Sequence, residues 1–286
     1  MTDLRGADIA AGLERMGRAV LAFVTLVRGS TPREAGAAML IGAEGALGTI
    51  GGGTAEHRAV SAARALLAEA APAPETLDFP LGPELDQCCG GAMVVALAPL
   101  TAADAPRFAT GGAALWPGGP IWREGPAPRP VLIYGAGHVG AAVVRALAPL
   151  PFALRWVDAR EGLTAEAPRG VATVETPLPE AEAGAAPAGA LHLVITHSHA
   201  LDLEIVASAL RNDPGFVGLI GSATKRATFL RRLRARGLTE AALARLTCPI
   251  GLPGLRDKRP AVIAASVAAQ LLQVDAALAA QRRGAA

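Results

Sequence analysis

Aromatic side chains are scarce. The 286 residues hold six Phe, three Trp and one Tyr, too few for the stacking platforms of a single-strand nucleic-acid binder. The formal net charge of +2 is likewise far from the basic excess that phosphate backbones require. Cysteine is nearly absent: three residues, an odd number with two of them adjacent, make no disulfide framework. No unbroken apolar run approaches the ~18 residues of a spanning helix. The first residues include Asp3, Asp8 and Glu14 and show no basic-then-apolar leader. These absences predict a reduced, cytoplasmic protein with neither a nucleic-acid nor a membrane partner. What is abundant is small and apolar: 51% of residues are hydrophobic and 18% charged, so a sizeable core is expected and disorder is not.

Thirty-three glycines and 22 prolines punctuate the chain into many short elements. Ile9, Leu13, Met16 and Val20 fit one face of a helix. Strands are predicted at Ala22–Val27, Met39–Ile41, Leu47–Ile50, Leu77–Phe79 and Met93–Leu97, with a helix from an N-cap at Thr54 to about Ala70. Periodicity fails between 101 and 130, where prolines and paired glycines crowd, so this stretch reads as a linker on which Trp116 and Trp122 pack. From Val131 onward strand and helix alternate, which predicts a parallel sheet covered on both faces. The expected organisation is a smaller α/β domain over 1–100, the linker, and a Rossmann-type doubly wound domain over 131–286. The Ala/Pro-rich stretch 176–190 reads as a surface loop.

The segment Gly135-Ala136-Gly137-His138-Val139-Gly140 follows an apolar strand, opens a helix, and has Asp158 closing the next strand. That context is what a dinucleotide fingerprint needs, with free N–H groups and the helix dipole favouring an anion. His138 lies in this loop, and His197 follows the strand Leu191–Thr196, which a doubly wound sheet places beside the first. Polar contacts to a ligand suit both histidines better than metal ligation, because no acidic or thiol ligand accompanies them at a recognisable spacing. Ser222 reads as a helix N-cap, and Lys225 and Arg226 in the first turn oppose the dipole, which a bound anion would explain. Asp202 reads as a cap for its helix. Gly51, Gly52 and Gly53 before a helix repeat the anion-site logic, with Glu56 in the first turn. Gln87-Cys88-Cys89-Gly90-Gly91 offers either an accessible thiolate or a small buried hydrophobe. Cys248 reads as structural.

Taken together these segments resemble the XdhC/CoxI family, accessory proteins of xanthine dehydrogenase and related molybdenum hydroxylases. The matching stretches are Arg28–Gly36, Gly48–Gly53 with Glu56, Gln87–Gly91, Gly135–Gly140, Thr196–Asp202, Ile220–Ser222 with Lys225 and Arg226, and Cys248–Gly251, in the family's order. The run after Gly251 departs from the acidic, threonine-containing segment of the family. The resemblance implies binding of the molybdenum cofactor (molybdopterin carrying the metal). The protein would hold it while a cysteine desulfurase exchanges an oxo ligand for sulfido, then deliver it to apo-xanthine dehydrogenase. It also implies a thiolate role for Cys89, favoured over Cys88, at the molybdenum or in sulfur relay. A homodimer is the default assembly. The alternative is an NAD(P)-dependent oxidoreductase, with a nucleotide in the same crevice.

Overall fold

A computed structural model describes residues 4–81 and 90–284, the side chains through Arg282. The chain forms two compact units, Met1–Ala127 and Pro128–Ala286.

In the first unit, α1 (Gly6–Met16) precedes β1 (Arg18–Arg28), β2 (Ala38–Ile41) and β3 (Ala46–Gly48). Helix α2 (Gly53–Ala68), β4 (Glu75–Leu81) and β5 (Gly91–Thr101) follow. The strands make one antiparallel sheet in the order β3-β2-β1-β5-β4. Strand β1 is buried on both faces, which is why its sequence is a continuous apolar run without polar alternation. Val20, Ala22 and Val24 face α2, whose Ala55, Ala59 and Ala63 recur every fourth residue and let the helix sit close to the sheet. Leu21 and Phe23 face Ile9 and Leu13 of α1.

The stretch 101–130 corrects the linker expectation. It holds a 3-10 helix (Ala102–Phe108) and a two-stranded sheet of β6 (Gly112–Ala114) and β7 (Ile121–Arg123). Phe108 and Trp122 meet edge to face at 5.4 Å in the core beside α1. Two aromatics make enough buried surface to fold a segment whose periodicity is otherwise erased by proline.

The second unit carries β8 (Arg129–Tyr134), α3 (His138–Leu147), β9 (Phe152–Asp158), β10 (Ala172–Glu175), α4 (Pro179–Gly184), β11 (Leu191–Val194) and α5 (His199–Arg211). Strand β12 (Phe216–Leu219), α6 (Ala223–Ala235), α7 (Glu240–Leu243), β13 (Leu246–Thr247) and α8 (Pro260–Gly284) complete it. The parallel sheet has the order β10-β9-β8-β11-β12-β13. Counted within the unit this is 3-2-1-4-5-6, the order of doubly wound dinucleotide folds, and β8 and β11 flank the switch point as expected. Helices α3 and α8 cover one face and α4 to α7 the other. Turns alone connect β9 to β10, and 176–190, read as loop, contains α4.

Helix α8 is, by length and composition, apolar enough across Pro260–Arg282 to cross a membrane, with mean hydropathy 1.7. Ala264, Val267 and Leu271 nevertheless pack into the core beside α3. Its polar residues serve the fold: Ser266 Oγ accepts from Leu252 N–H, Gln270 Oε1 from Gly251 N–H, and Asp275 pairs with Arg129.

Truncating Trp122 to Ala should lower the stability of the first unit by about 3–5 kcal/mol. Urea unfolding followed by circular dichroism should show the transition of the second unit unmoved.

Candidate functional site

The turn from β8 into α3 requires glycine at two places for reasons of space. A Cβ on Gly135, whose φ is +113°, would lie 2.4 Å from the Ile195 carbonyl oxygen, and one on Gly140 would lie 1.9 Å from the Gly135 oxygen. Gly137 differs. It is the N-cap of α3, and nothing lies within 4 Å of where its Cβ would be, so its face is open to approach. Among the described residues no side-chain hydrogen bond caps α3. Helices α5 and α6 are capped by Ser198 and Ser222, whose hydroxyls accept from Leu201 and Lys225 N–H, so the Ser222 expectation stands as a cap. His138 and His197 are both exposed at this edge. His197 lines a shallow crevice with Tyr134, Gly135, Asp158 and Thr196, which encloses essentially no water-accessible volume.

Beneath it lies a pair that no motif announced. The Tyr134 hydroxyl and His192 Nδ1 share a buried hydrogen bond of 3.0 Å. Burial pushes the imidazole down to about 4 and the phenol upward, so both are neutral near pH 7. A larger hollow of about 500 Å³ opens at the other end of the same strands, but its walls are mainly apolar, with the Arg155–Glu182 ion pair alongside.

Asp158 is buried and its acceptor positions are filled. Oδ1 accepts from Arg160 N–H and Nε at 2.9 Å each, and Oδ2 from Ala136 N–H at 2.5 Å and Arg160 Nη2 at 2.9 Å. Burial raises this carboxyl, but the bonds from Arg160 and Ala136 outweigh it and hold it below the usual carboxylate range.

Lys225 is placed differently from expectation. Its ammonium donates to Asp202 Oδ2 at 2.6 Å and to the Ile220 carbonyl at 2.9 Å, and its side chain is 10% exposed against 0% for Asp202. Asp202 in turn accepts from Thr196 N–H and hydroxyl. The pair fastens the end of β11 to the end of β12. It explains a cation in a helix's first turn with an internal carboxylate in place of an external anion, and Asp202 is not the cap of α5. Arg226 remains exposed. Cys248 is buried with its thiol toward the Ser222 carbonyl at 3.7 Å, and burial pushes that thiol upward.

In the first unit the Gly51–Gly53 turn also already holds an anion. Glu56 Oε2 accepts from the Thr49 hydroxyl, from Ile50 N–H at 2.9 Å and from Gly52 N–H at 3.1 Å. The N-cap of α2 is therefore Gly52 and not Thr54. Burial pushes Glu56 up, yet the hydrogen bonds from Thr49, Gly52, Ile50 and Gly51 win and its carboxyl sits below its usual value of 4.5. Gly91 lies against the carbonyls of Arg28 and Ser30, and Gly51 against Pro32. Three of the noted segments thus meet around the loop 28–36, Gly90 pairing in a β-bridge with Ser30. Gln87, Cys88 and Cys89, with the proposed metal contact at Cys89, fall outside the described residues. Among the described residues no group of three or more His, Cys, Asp or Glu is arranged to hold a metal.

Sheet order, switch-point crevice and open glycine turn define a dinucleotide-fold protein with a phosphate-type loop joined to an antiparallel α/β unit. The XdhC Rossmann domain profile matches residues 131–271 and the XdhC and CoxI family profile residues 13–80, and the chain belongs to the XdhC and CoxI family. The uncharacterized protein YqeB of Escherichia coli K12 is 33% identical over 261 residues, covering 86% of this chain and 42% of YqeB. The chain thus spans about two fifths of that relative's length. A Bacillus halodurans crystal structure described as a xanthine dehydrogenase shares the fold, with a TM-score of 0.75 at 20% identity over 96% of each chain.

Two expectations follow. Lys225→Met leaves Asp202 buried without its cation and should cost about 3–5 kcal/mol in denaturant unfolding of the second unit. Glu56 has a folded pKa below its unfolded one, so its contribution is present above pH 4.5 and lost as pH falls through the folded value. The stability gap between wild type and Glu56→Gln, measured by urea titration at stepped pH, should be constant near neutrality and close only in acid.

Proposed function

We propose that this chain is a molybdenum-cofactor accessory protein that holds the cofactor for sulfuration by a cysteine desulfurase and passes it to apo-xanthine dehydrogenase. Family membership supports the accessory role in xanthine dehydrogenase maturation. The observation that carries the cofactor reading is the start of α3, where Gly137 is open and no side-chain hydrogen bond caps the helix among the described residues. N–H groups at such a helix end, with the dipole behind them, suit a phosphate monoester such as molybdopterin carries.

The residues present fit this selectively. The Ile50 and Gly52 N–H groups are committed to Glu56, that of Gly51 to the Thr49 hydroxyl, and Lys225 to Asp202. The phosphate is therefore assigned to Gly135–Gly140, with His138 and His197 as polar neighbours and Arg226 as an exposed cation at the next helix start. The crevice is shallow, so a pterin would lie along its mouth. When bound, the cofactor supplies a molybdenum centre that soft thiolates can ligate. Cys89 is our candidate for that contact or for sulfur relay, ahead of Cys88. Gln87, Gly90 and Gly91 would shape the same segment, and a homodimer is the assembly we propose.

Protein purified from a cofactor-producing host should release molybdopterin near stoichiometrically on mass analysis, and Cys89→Ala should bind or load less. No molybdopterin in the preparation sinks the function. Full loading and full reactivation of apo-xanthine dehydrogenase by Cys89→Ala sinks the cysteine assignment alone.

A further inference from the structure

We propose that Arg160 determines what the dinucleotide-type crevice excludes, by placing its own guanidinium on the carboxylate that a ribose diol would need. Dinucleotide folds of this strand order recognise the adenosine ribose through hydroxyls donated to an acidic residue at the end of the second strand. Here that residue is Asp158, the last of β9. A carboxylate offers about four acceptor positions, and Arg160 N–H, Nε and Nη2 with Ala136 N–H fill them. The bond from Ala136 belongs to the glycine turn and leaves room for a diol. The three from Arg160 do not.

The clamp is prearranged by the loop that carries it. The segment after β9 makes no helix and is pinned to β10 by Glu175, whose carboxylate accepts from Gly162 N–H at 2.8 Å, Thr164 N–H at 3.1 Å and the Thr164 hydroxyl at 2.8 Å. Fixing residues 162 and 164 fixes the reach of Arg160, which has to travel only two residues back to Asp158. A forked, charge-assisted contact of this kind is stronger than the neutral bonds a sugar hydroxyl would make in its place. Asp158 ends with 3% of its side chain exposed while Arg160 keeps 45%. The guanidinium therefore covers the carboxylate and turns a diol acceptor into a cationic, donor-bearing surface. Nicotinamide or other adenine dinucleotides read through their ribose diol are excluded, and ligands that bring acceptor oxygens are not.

The inference rests on the dinucleotide-type crevice and not on molybdopterin as its ligand. The probe is NAD+, titrated by calorimetry into the full-length protein. Wild type should give no binding at millimolar NAD+, and Arg160→Ala should gain at least tenfold in affinity by uncovering Asp158. Asp158→Ala in the Arg160→Ala background should abolish that gain. Binding by wild type equal to the variant overturns the proposal, as does no gain in a variant folded by circular dichroism, or a gain that survives loss of Asp158. Should Arg160→Ala fail to fold, Arg160→Gln carries the same expectation. Failure of the protein to carry molybdopterin leaves this titration and its reading unchanged.

Discussion

The second unit is organised around the contact of Gly140 with the Gly135 carbonyl. No side chain fits between them, since even a methyl would sit 1.9 Å from that oxygen. The same oxygen accepts from Trp156 Nε1 at 3.1 Å, while Gly135 N–H donates to Val157 and Ala136 N–H to Asp158. One tight turn thereby joins β8, α3 and β9. Because β11 lies on the other side of β8, the turn also fixes where the Thr196 loop passes, with the Ile195 oxygen lodged against Gly135. The crevice is a consequence of backbone packing before any ligand is considered.

Three carboxylates then decide which backbone donors remain. Glu56 takes Ile50 and Gly52 at the turn into α2, Asp158 takes Ala136, and Asp202 takes Thr196 together with the Lys225 ammonium. Each is an anion supplied by the chain where an external one could have gone. A buried donor left without a partner costs more than an ordinary hydrogen bond returns, so internal occupation is the stable arrangement wherever no ligand is meant to enter. Helix α3 departs from that rule. At its N-cap Gly137 faces open space, whereas α5 and α6 begin on the hydroxyls of Ser198 and Ser222, and this contrast within the second unit narrows the candidate anion site in a way that glycine content alone could not.

Much of this was legible in the residues. Strands with buried faces read directly from runs such as Val131–Tyr134 and Leu191–Ile195, and alternation with helices led to the parallel sheet. Periodicity was silent where few residues do the packing. Phe108 and Trp122 fold the stretch 101–130, yet two aromatics among prolines make no repeating pattern. Composition alone does not place α8, since hydropathy does not register that Ala264, Val267 and Leu271 share a buried stripe. Side-chain partnerships across distance were the least visible. Lys225 looked like an anion ligand because the Asp202 that neutralises it lies on another helix, whereas Arg160, two residues from Asp158, was close enough in sequence to be noticed and has no motif to flag it.

The pattern of what the fold retains bears on what it carries. Dinucleotide recognition in this architecture draws on the phosphate turn, the acid after the second strand and the switch-point crevice. The turn and the crevice are kept, the acid is covered, and turns stand where a helix commonly follows the second strand. Covering the ribose acceptor while keeping the glycine turn matches a phosphate-bearing ligand that is not read through an adenosine ribose diol. A terminal phosphate held at the start of α3 would orient the rest of such a molecule along the exposed edge with His138 and His197. A molecule held at one end keeps its length accessible, which is what the proposed hand-over to a second protein requires.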